Sequence, residues 1–334
     1  HFLSLVRRGR SLVRTYGVRL LHSNSGAPTQ WLVPVARSER IPLVSHLHVP
    51  YGRRDRFVMG LHQATLAVGV THGCIEGVLA DGMPASRTKT IYNAVDLSVW
   101  GAGDETGLRA RLGIEPDDIV LTRVGSLIHR KGVDLILRAF ATLKRERRQC
   151  HLLIVGEGPD RPRLEALRDE LGLQGSAHFL GLVPSAGAVL RDATDIAVSP
   201  ARVEGFGLTV IEAGAAGLPV VATNTAGMTE IITSGESGLI IPVEDITSLL
   251  NGMRTLVDDP ALRRRFGSAL RQTVERRFLV SRYVSDFEHT YQDLLRLPHD
   301  ALGWTGPRTP LGPYARFAWD VLRGKLTGNA YNSS

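Results

Sequence analysis

The chain of 334 residues is poor in cysteine, lacks long apolar runs and carries fewer acids than bases, and each shortage closes off a class of protein. Its two cysteines, Cys74 and Cys150, stand in apolar surroundings with no short spacing to a partner. A disulfide framework and a zinc knuckle are therefore excluded, and a reducing cytoplasm is expected. The apolar runs fall well short of the roughly 18 residues that a membrane span needs. The opening HFLSLVRRGRSLVRTYGVRLL has no apolar core of the secretory kind and reads as an amphipathic helix running into a strand, so the chain is expected to begin inside a domain. With 33 acids against 40 Lys and Arg, the net charge of +7 gathers in arginine clusters at 7–10, 53–56 and 263–265. Such clusters are ordinarily solvated helix faces, but they can also attract anionic lipid headgroups or polyphosphates. A peripheral contact with anionic membrane at its inner face is thus an option; a nucleic-acid partner is not expected.

What the sequence has in quantity is glycine, 35 residues of it, punctuating short apolar runs that alternate with amphipathic ones. Residues 18–24, 41–48, 65–70 and 89–95 read as strands. After a polar link rich in Gly and Asp the pattern restarts at 119–126, 151–158, 177–181, 195–200 and 219–224. Near-continuous apolar strands separated by helices mean parallel sheets covered on both faces. From about residue 244 the pattern is helical, with Asp245 as a helix cap, and YARFAWDVLRGKL at 314–326 reads as a last helix packing on the body. The expected architecture is α/β: one Rossmann-like domain over 1–104, a second over 116–290, and a helical tail over 291–334.

Ligands of open parallel sheets bind beyond the carboxyl ends of the strands, so the loops there carry the chemistry. After the strand at 119–126, Arg130 and Lys131 precede Gly132 and a helix start, which suits a phosphate. After the strand at 195–200 comes EGFGLTVIEAGAAGLP, in which Gly205 and Gly207 let the backbone approach a ligand and a helix begins near Leu208. Its first N–H groups favour an anion. Glu204 and Glu212 flank this cradle, and an ionised carboxylate accepts hydrogen bonds from neighbouring hydroxyls. An anion cradle between two such carboxylates describes a nucleotide sugar. No metal site of the Asp-x-Asp kind is expected, and no cofactor.

The segments IPLVSHLHV, TKTIYNAVDL, VGSLIHRKGVDLILRAF, LLIVGEGPDRPRLEAL, HFLGLVP and DIAVSPARVEGFGLTVIEAGAAGLPVVATN are similar, in order, to those of glycosyltransferase family 4, retaining enzymes of the GT-B fold with an E-x7-E signature. The likeness covers residues 18–295. It implies two Rossmann-like domains facing a cleft, and transfer of a sugar from a nucleoside diphosphate to a glycan, lipid-linked or small acceptor, as in cell-surface polysaccharide synthesis. By the same resemblance Lys131 would hold the donor diphosphate, Glu204 the transferred sugar and Glu212 the ribose. Gly205, Phe206, Gly207, Leu208 and Thr209 would surround the phosphates, Val183 would line the base pocket, and His48 would face the sugar. Attack from the leaving-group side needs no protein nucleophile. Two departures stand out. Ser126 occupies the place of a family arginine, with Arg130 able to compensate, and the family's opening strand and glycine-rich loop have no counterpart before His1. A nucleotide-sugar-binding homologue without activity is the alternative reading; a sugar-nucleotide epimerase fits the fold but explains EGFGLTVIEA less well.

Overall fold

The computed structural model describes residues 1–98 and 100–302. They form two compact units, one made of His1–Tyr92 together with the chain from Tyr283 onward, the other of Asn93–Arg282. The helix expected at 314–326 lies outside the described residues.

The first unit runs α1 (Phe2–Tyr16), β1 (Leu21–Ser23), α2 (Thr29–Glu39), β2 (Leu43–Leu47), α3 (Arg53–Val58), β3 (Leu66–Gly69), α4 (His72–Ala80) and β4 (Thr88–Thr90). Its four strands are all parallel and lie side by side in chain order. β2 and β3 are buried along their whole length, which is why β3 reads as an apolar run and β2 as one broken only by the buried Ser45 and His46.

The second unit runs α5 (Leu108–Arg111), β5 (Ile119–Val124), α6 (Val133–Glu146), β6 (Cys150–Val155), α7 (Arg161–Glu170), β7 (Ala177–Gly181), α8 (Ala186–Ala193), β8 (Ile196–Ser199), α9 (Leu208–Ala215), β9 (Val220–Thr223), α10 (Ala226–Ile231), β10 (Leu239–Ile241), α11 (Ile246–Asp258) and α12 (Pro260–Arg277). The parallel sheet has the order β10-β9-β8-β5-β6-β7. The chain builds outward from β5 to β7, then returns to the other side of β5 with β8. The carboxyl ends of β5 and β8 therefore flank the point where strand order reverses, the place where such sheets hold ligands. Both sheets are Rossmann-like, as the alternation of apolar runs implies.

Three features differ from expectation. The link after residue 93 belongs to the second unit rather than separating the two: Leu108 and Ile114 are buried with Val120 and Val189, and Arg109 pairs with Asp195 at 2.7 Å. The last α-helix among the described residues, α13 (Val280–Arg296), crosses the expected boundary at 290 and joins the first unit from Tyr283 on. Its Phe287 and Leu294 pack with Val44, Leu66, Val68 and Ile91, and Lys89 donates to Thr290 at 2.8 Å. An apolar row at helical spacing needs a face to cover, and here it covers the sheet of the first unit. Finally β10 has just three residues, too few to show a period. The Asp245 cap is present, its carboxylate accepting from Ser248 N–H at 2.9 Å. No helix among the described residues is long and apolar enough to cross a membrane.

Candidate functional site

The reversal point of the second sheet brings two loops together: the one after β5 carries Arg130 and Lys131, and the one after β8 carries Glu204 to Thr209 and leads to Glu212. After β5 the chain passes Gly125 and Ser126 into a single 3-10 turn, His129–Lys131, and then Gly132. Gly132 has φ +68°, and a Cβ there would lie 1.9 Å from the Pro200 carbonyl oxygen in the loop after β8. Only glycine lets the two loops touch at this point.

Arg202 fastens them. Its backbone N–H donates to the Arg130 carbonyl at 2.8 Å, its Nη1 to the His129 carbonyl at 2.8 Å, and its guanidinium grips both Asp134 oxygens at 2.8 Å. Nε adds Glu244 at 2.7 Å. Burial raises the Asp134 carboxyl, but the bonds and charge of Arg202 outweigh it and hold the group below its usual value. The arginine itself is raised, first by its bond to Asp134. Nothing in the composition of SPARVEGFG singled out Arg202, because its partners lie about 70 residues away.

Lys131 and Glu204, predicted separately, form an ion pair here, and the second Glu204 oxygen accepts from Gly205 N–H at 3.1 Å. Arg130 projects an exposed side chain beside them. Glu212 is different. It sits one turn into α9, half-buried, its carboxylate with neither a hydrogen bond nor an ion pair to any described residue, and burial raises that carboxyl above the ordinary value. A desolvated carboxylate without a partner is costly unless something else supplies donors.

The start of α9 supplies donors of its own. Gly207, at φ 107°, turns the chain into the helix where a Cβ would meet Met228 Sδ at 3.0 Å. The N–H groups of Leu208 and Thr209 find no acceptor among the described residues, as expected for a helix start. Thr209 Oγ1 donates to the Val124 carbonyl at 3.4 Å and so ties this end to β5, and Ser126, two residues beyond that strand, also has an N–H without an acceptor among the described residues. Three backbone N–H groups without an acceptor among the described residues thus lie on the loops that also carry Lys131, an arrangement of the kind that suits an anion. The side chain of Leu208 is 49% exposed, whereas that of Phe206 is 3% exposed and packs edge-on against Phe278 at 5.7 Å. Phe206 consequently has only its backbone left for a ligand. Val183 follows β7 at the carboxyl end of the same sheet and packs partly against Val155 and Val189.

His48 lies in the first unit, just after β2. Its Nε2–H donates to Asn24 Oδ1 at 2.9 Å, and His46 Nδ1–H donates to the same oxygen at 3.1 Å. Asn24 therefore fixes both tautomers, a role that no sequence motif signals. The two rings stand 4.3 Å apart, His46 Nε2 is buried without a partner, and burial lowers both groups, His46 to about 3. Among the described residues no group of three His, Cys, Asp or Glu side chains is placed to hold a metal ion.

Known proteins share this organisation. The HepE protein of Anabaena, crystallised with UDP, superposes with a TM-score of 0.77 over 87% of this chain and 82% of its own at 21% identity. Sucrose-phosphate synthase of Thermosynechococcus elongatus gives 0.75 over 88% and 78% at 25% identity. These likenesses establish the GT-B fold. In sequence, N-acetyl-alpha-D-glucosaminyl L-malate synthase of Bacillus anthracis is 27% identical over 305 residues, 88% of this chain and 80% of that protein. D-inositol 3-phosphate glycosyltransferase of Kribbella flavida is 31% identical over 198 residues, 56% of this chain; the chain spans about half, 47%, of that relative. The family of glycosyl transferases group 1 matches residues 104–273, half of the chain and the whole of the loop pair built around Lys131 and Glu204. The chain belongs to glycosyl transferases group 1 and is a glycosyltransferase of the GT-B fold.

Proposed function

We propose that the protein is a retaining glycosyltransferase of family 4 that moves a sugar from a nucleoside diphosphate to a glycan, lipid-linked or small-molecule acceptor, in the synthesis of a cell-surface polysaccharide or glycoconjugate. The observation that carries this reading is the half-buried Glu212 carboxylate, without a partner among the described residues, on the same loop pair as Lys131 and three backbone N–H groups that have no acceptor among those residues. In the proposed complex Glu212 accepts from the two ribose hydroxyls. The diphosphate lies on the N–H groups of Leu208 and Thr209, with Lys131 and Arg130 against its charge. Glu204 exchanges its ion pair with Lys131 for hydroxyls of the transferred sugar, while Gly205, Gly207 and the Phe206 backbone line the loop and Val183 the base. From the first unit, His48 is assigned to the sugar on the resemblance alone.

Chemically, the bond from the anomeric carbon to the leaving diphosphate breaks, and the acceptor oxygen bonds the same face of that carbon. The acceptor proton passes to the departing diphosphate oxygen. Positive charge at Lys131 and at the α9 start opposes the negative charge developing there, electrostatic help in which the protein forms no covalent bond. A resident metal or cofactor has no part in this proposal. UDP is the first nucleotide to try, since HepE was crystallised with UDP and UDP-glucose.

Calorimetric titration with UDP, GDP and ADP, beside a Glu212→Ala control, tests the reading. Binding of one nucleotide that the control loses supports it and identifies the base. Donor hydrolysis or transfer that disappears in Glu204→Ala separates an enzyme from a mere binding protein. Absence of binding by all three would overturn the proposal.

A further inference from the structure

Arg123 is the residue of β5 that least fits its surroundings. It is 2% exposed, on the face of the strand that Leu121 buries in the main core. A buried charge costs several kcal/mol unless it is paired, yet no carboxylate among the described residues lies within ion-pair distance of it. Its guanidinium instead donates to two backbone carbonyls of the turn directly above, that of Gly125 and, at 3.0 Å, that of Ser126. The nearest influential anion is Glu204, which is already engaged by Lys131. Burial pulls the guanidinium down to about 10 while the charge of Glu204 opposes that, so the group stays charged at neutral pH in a site that neutralises it incompletely.

The geometry of the turn says what the charge is for. In a trans peptide the carbonyl and the following N–H point in opposite directions, and the chain contains no cis bond. With the Gly125 carbonyl turned down to Arg123, the Ser126 N–H must face outward, and it is the N–H of this turn that finds no acceptor; Gly125 N–H and Leu127 N–H are taken by the Val155 and Glu157 carbonyls, both at 2.9 Å. The exposed side chain of this turn is a serine and adds no charge. We propose that Arg123 is a positioning residue of the donor site: acting from beneath, through the Gly125–Ser126 turn, it aims the Ser126 N–H at the diphosphate and supplies the positive charge that the diphosphate completes. This rests on the nucleotide-sugar reading above and names a residue that neither motif nor exposure reveals.

The test compares whichever nucleoside diphosphate the native chain binds with its parent nucleoside, in Arg123→Gln and Arg123→Lys. Gln keeps donors for the carbonyls and removes the charge; Lys keeps the charge and loses the fork. The expected result is a loss of about 10–100-fold in diphosphate affinity for Gln, a clearly smaller loss for Lys, and unchanged nucleoside affinity in both. A Gln variant that binds the diphosphate as the native chain does overturns the proposal. So does an equal loss for nucleoside and diphosphate, which marks a structural role. Should Gln not fold, the Lys variant decides: a loss confined to the diphosphate supports the hold of the guanidinium fork on the turn, and a loss shared by the nucleoside, or none at all, refutes the proposal. If the native chain binds no nucleoside diphosphate at all, the nucleotide-sugar reading itself has failed; if it binds and Arg123 is indifferent, only this inference has.

Discussion

Glu212→Gln should make the ligand-free protein more stable and the liganded protein less so. In the free chain the Glu212 carboxylate is half-buried and without a partner, and its pKa is raised by burial. A raised carboxyl pKa means that the stability this group allows is fully present below the unfolded value of 4.5 and is lost as the pH climbs through the folded one. At pH 7.5 the native chain therefore carries the cost of an unsatisfied anion, which a neutral amide reduces. Relieving it is worth about 1 kcal/mol, taken from the low end of the penalty for unpaired buried polar groups. For a unit of this size that is a rise in Tm of about 2–4 °C. Saturating nucleotide reverses the order: at a hundredfold excess over Kd a ligand adds about 2.7 kcal/mol to the native chain, while Gln, having lost an acceptor to the ribose hydroxyls, binds about 10–100-fold more weakly and gains little. Scanning calorimetry of both proteins, with and without the nucleotide, should show the two melting curves exchange places. A Gln variant that melts lower in both conditions would mean that Glu212 is a satisfied structural residue and would refute the assignment.

The other expectations concern separate parts of the molecule. Arg202→Ala removes the clamp on Asp134 and leaves a partly buried carboxylate behind, so it should destabilise the second unit by about 3 kcal/mol in urea titration and lower turnover as well; Arg202→Lys should recover only part, because the bidentate fork is lost. Because His46 stays neutral in the folded first unit down to about pH 3 while the unfolded chain protonates below 6.5, that unit should lose about 2 kcal/mol between pH 7 and pH 5, and His46→Leu should flatten the dependence; an unchanged slope would exclude the buried imidazole as its cause. α1 shows exposed Phe2, Leu3, Leu12 and Tyr16 beside Arg7 and Arg14, so sedimentation with vesicles containing anionic lipid should carry the protein down at low salt and release it at about 0.5 M. Binding that ignores salt, or none, would remove membrane contact from the account.

Much of the fold was legible because parallel strands covered on both faces leave near-continuous apolar runs, and nine such strand-like runs stand out between helices. The chemistry of one loop was legible too: glycines, a helix start and two carboxylates at residues 204–212 form a local pattern, and local patterns survive in one dimension. What the sequence alone determined, then, is the class of fold and the two sheets, and it named the loops that make up the candidate site. Tertiary structure decided the rest, for reasons of distance along the chain. The order β10-β9-β8-β5-β6-β7 sets Lys131 against Glu204 and lets Arg202 reach Asp134, pairs separated by about 70 residues that no spacing rule connects. It also decided that α13 returns to the first unit, since an apolar helix face does not say which sheet it will cover. And burial, which is a property of the folded chain only, turned Phe206 into core, left Glu212 without a partner and put the charge of Arg123 beneath the turn where an anion can use it.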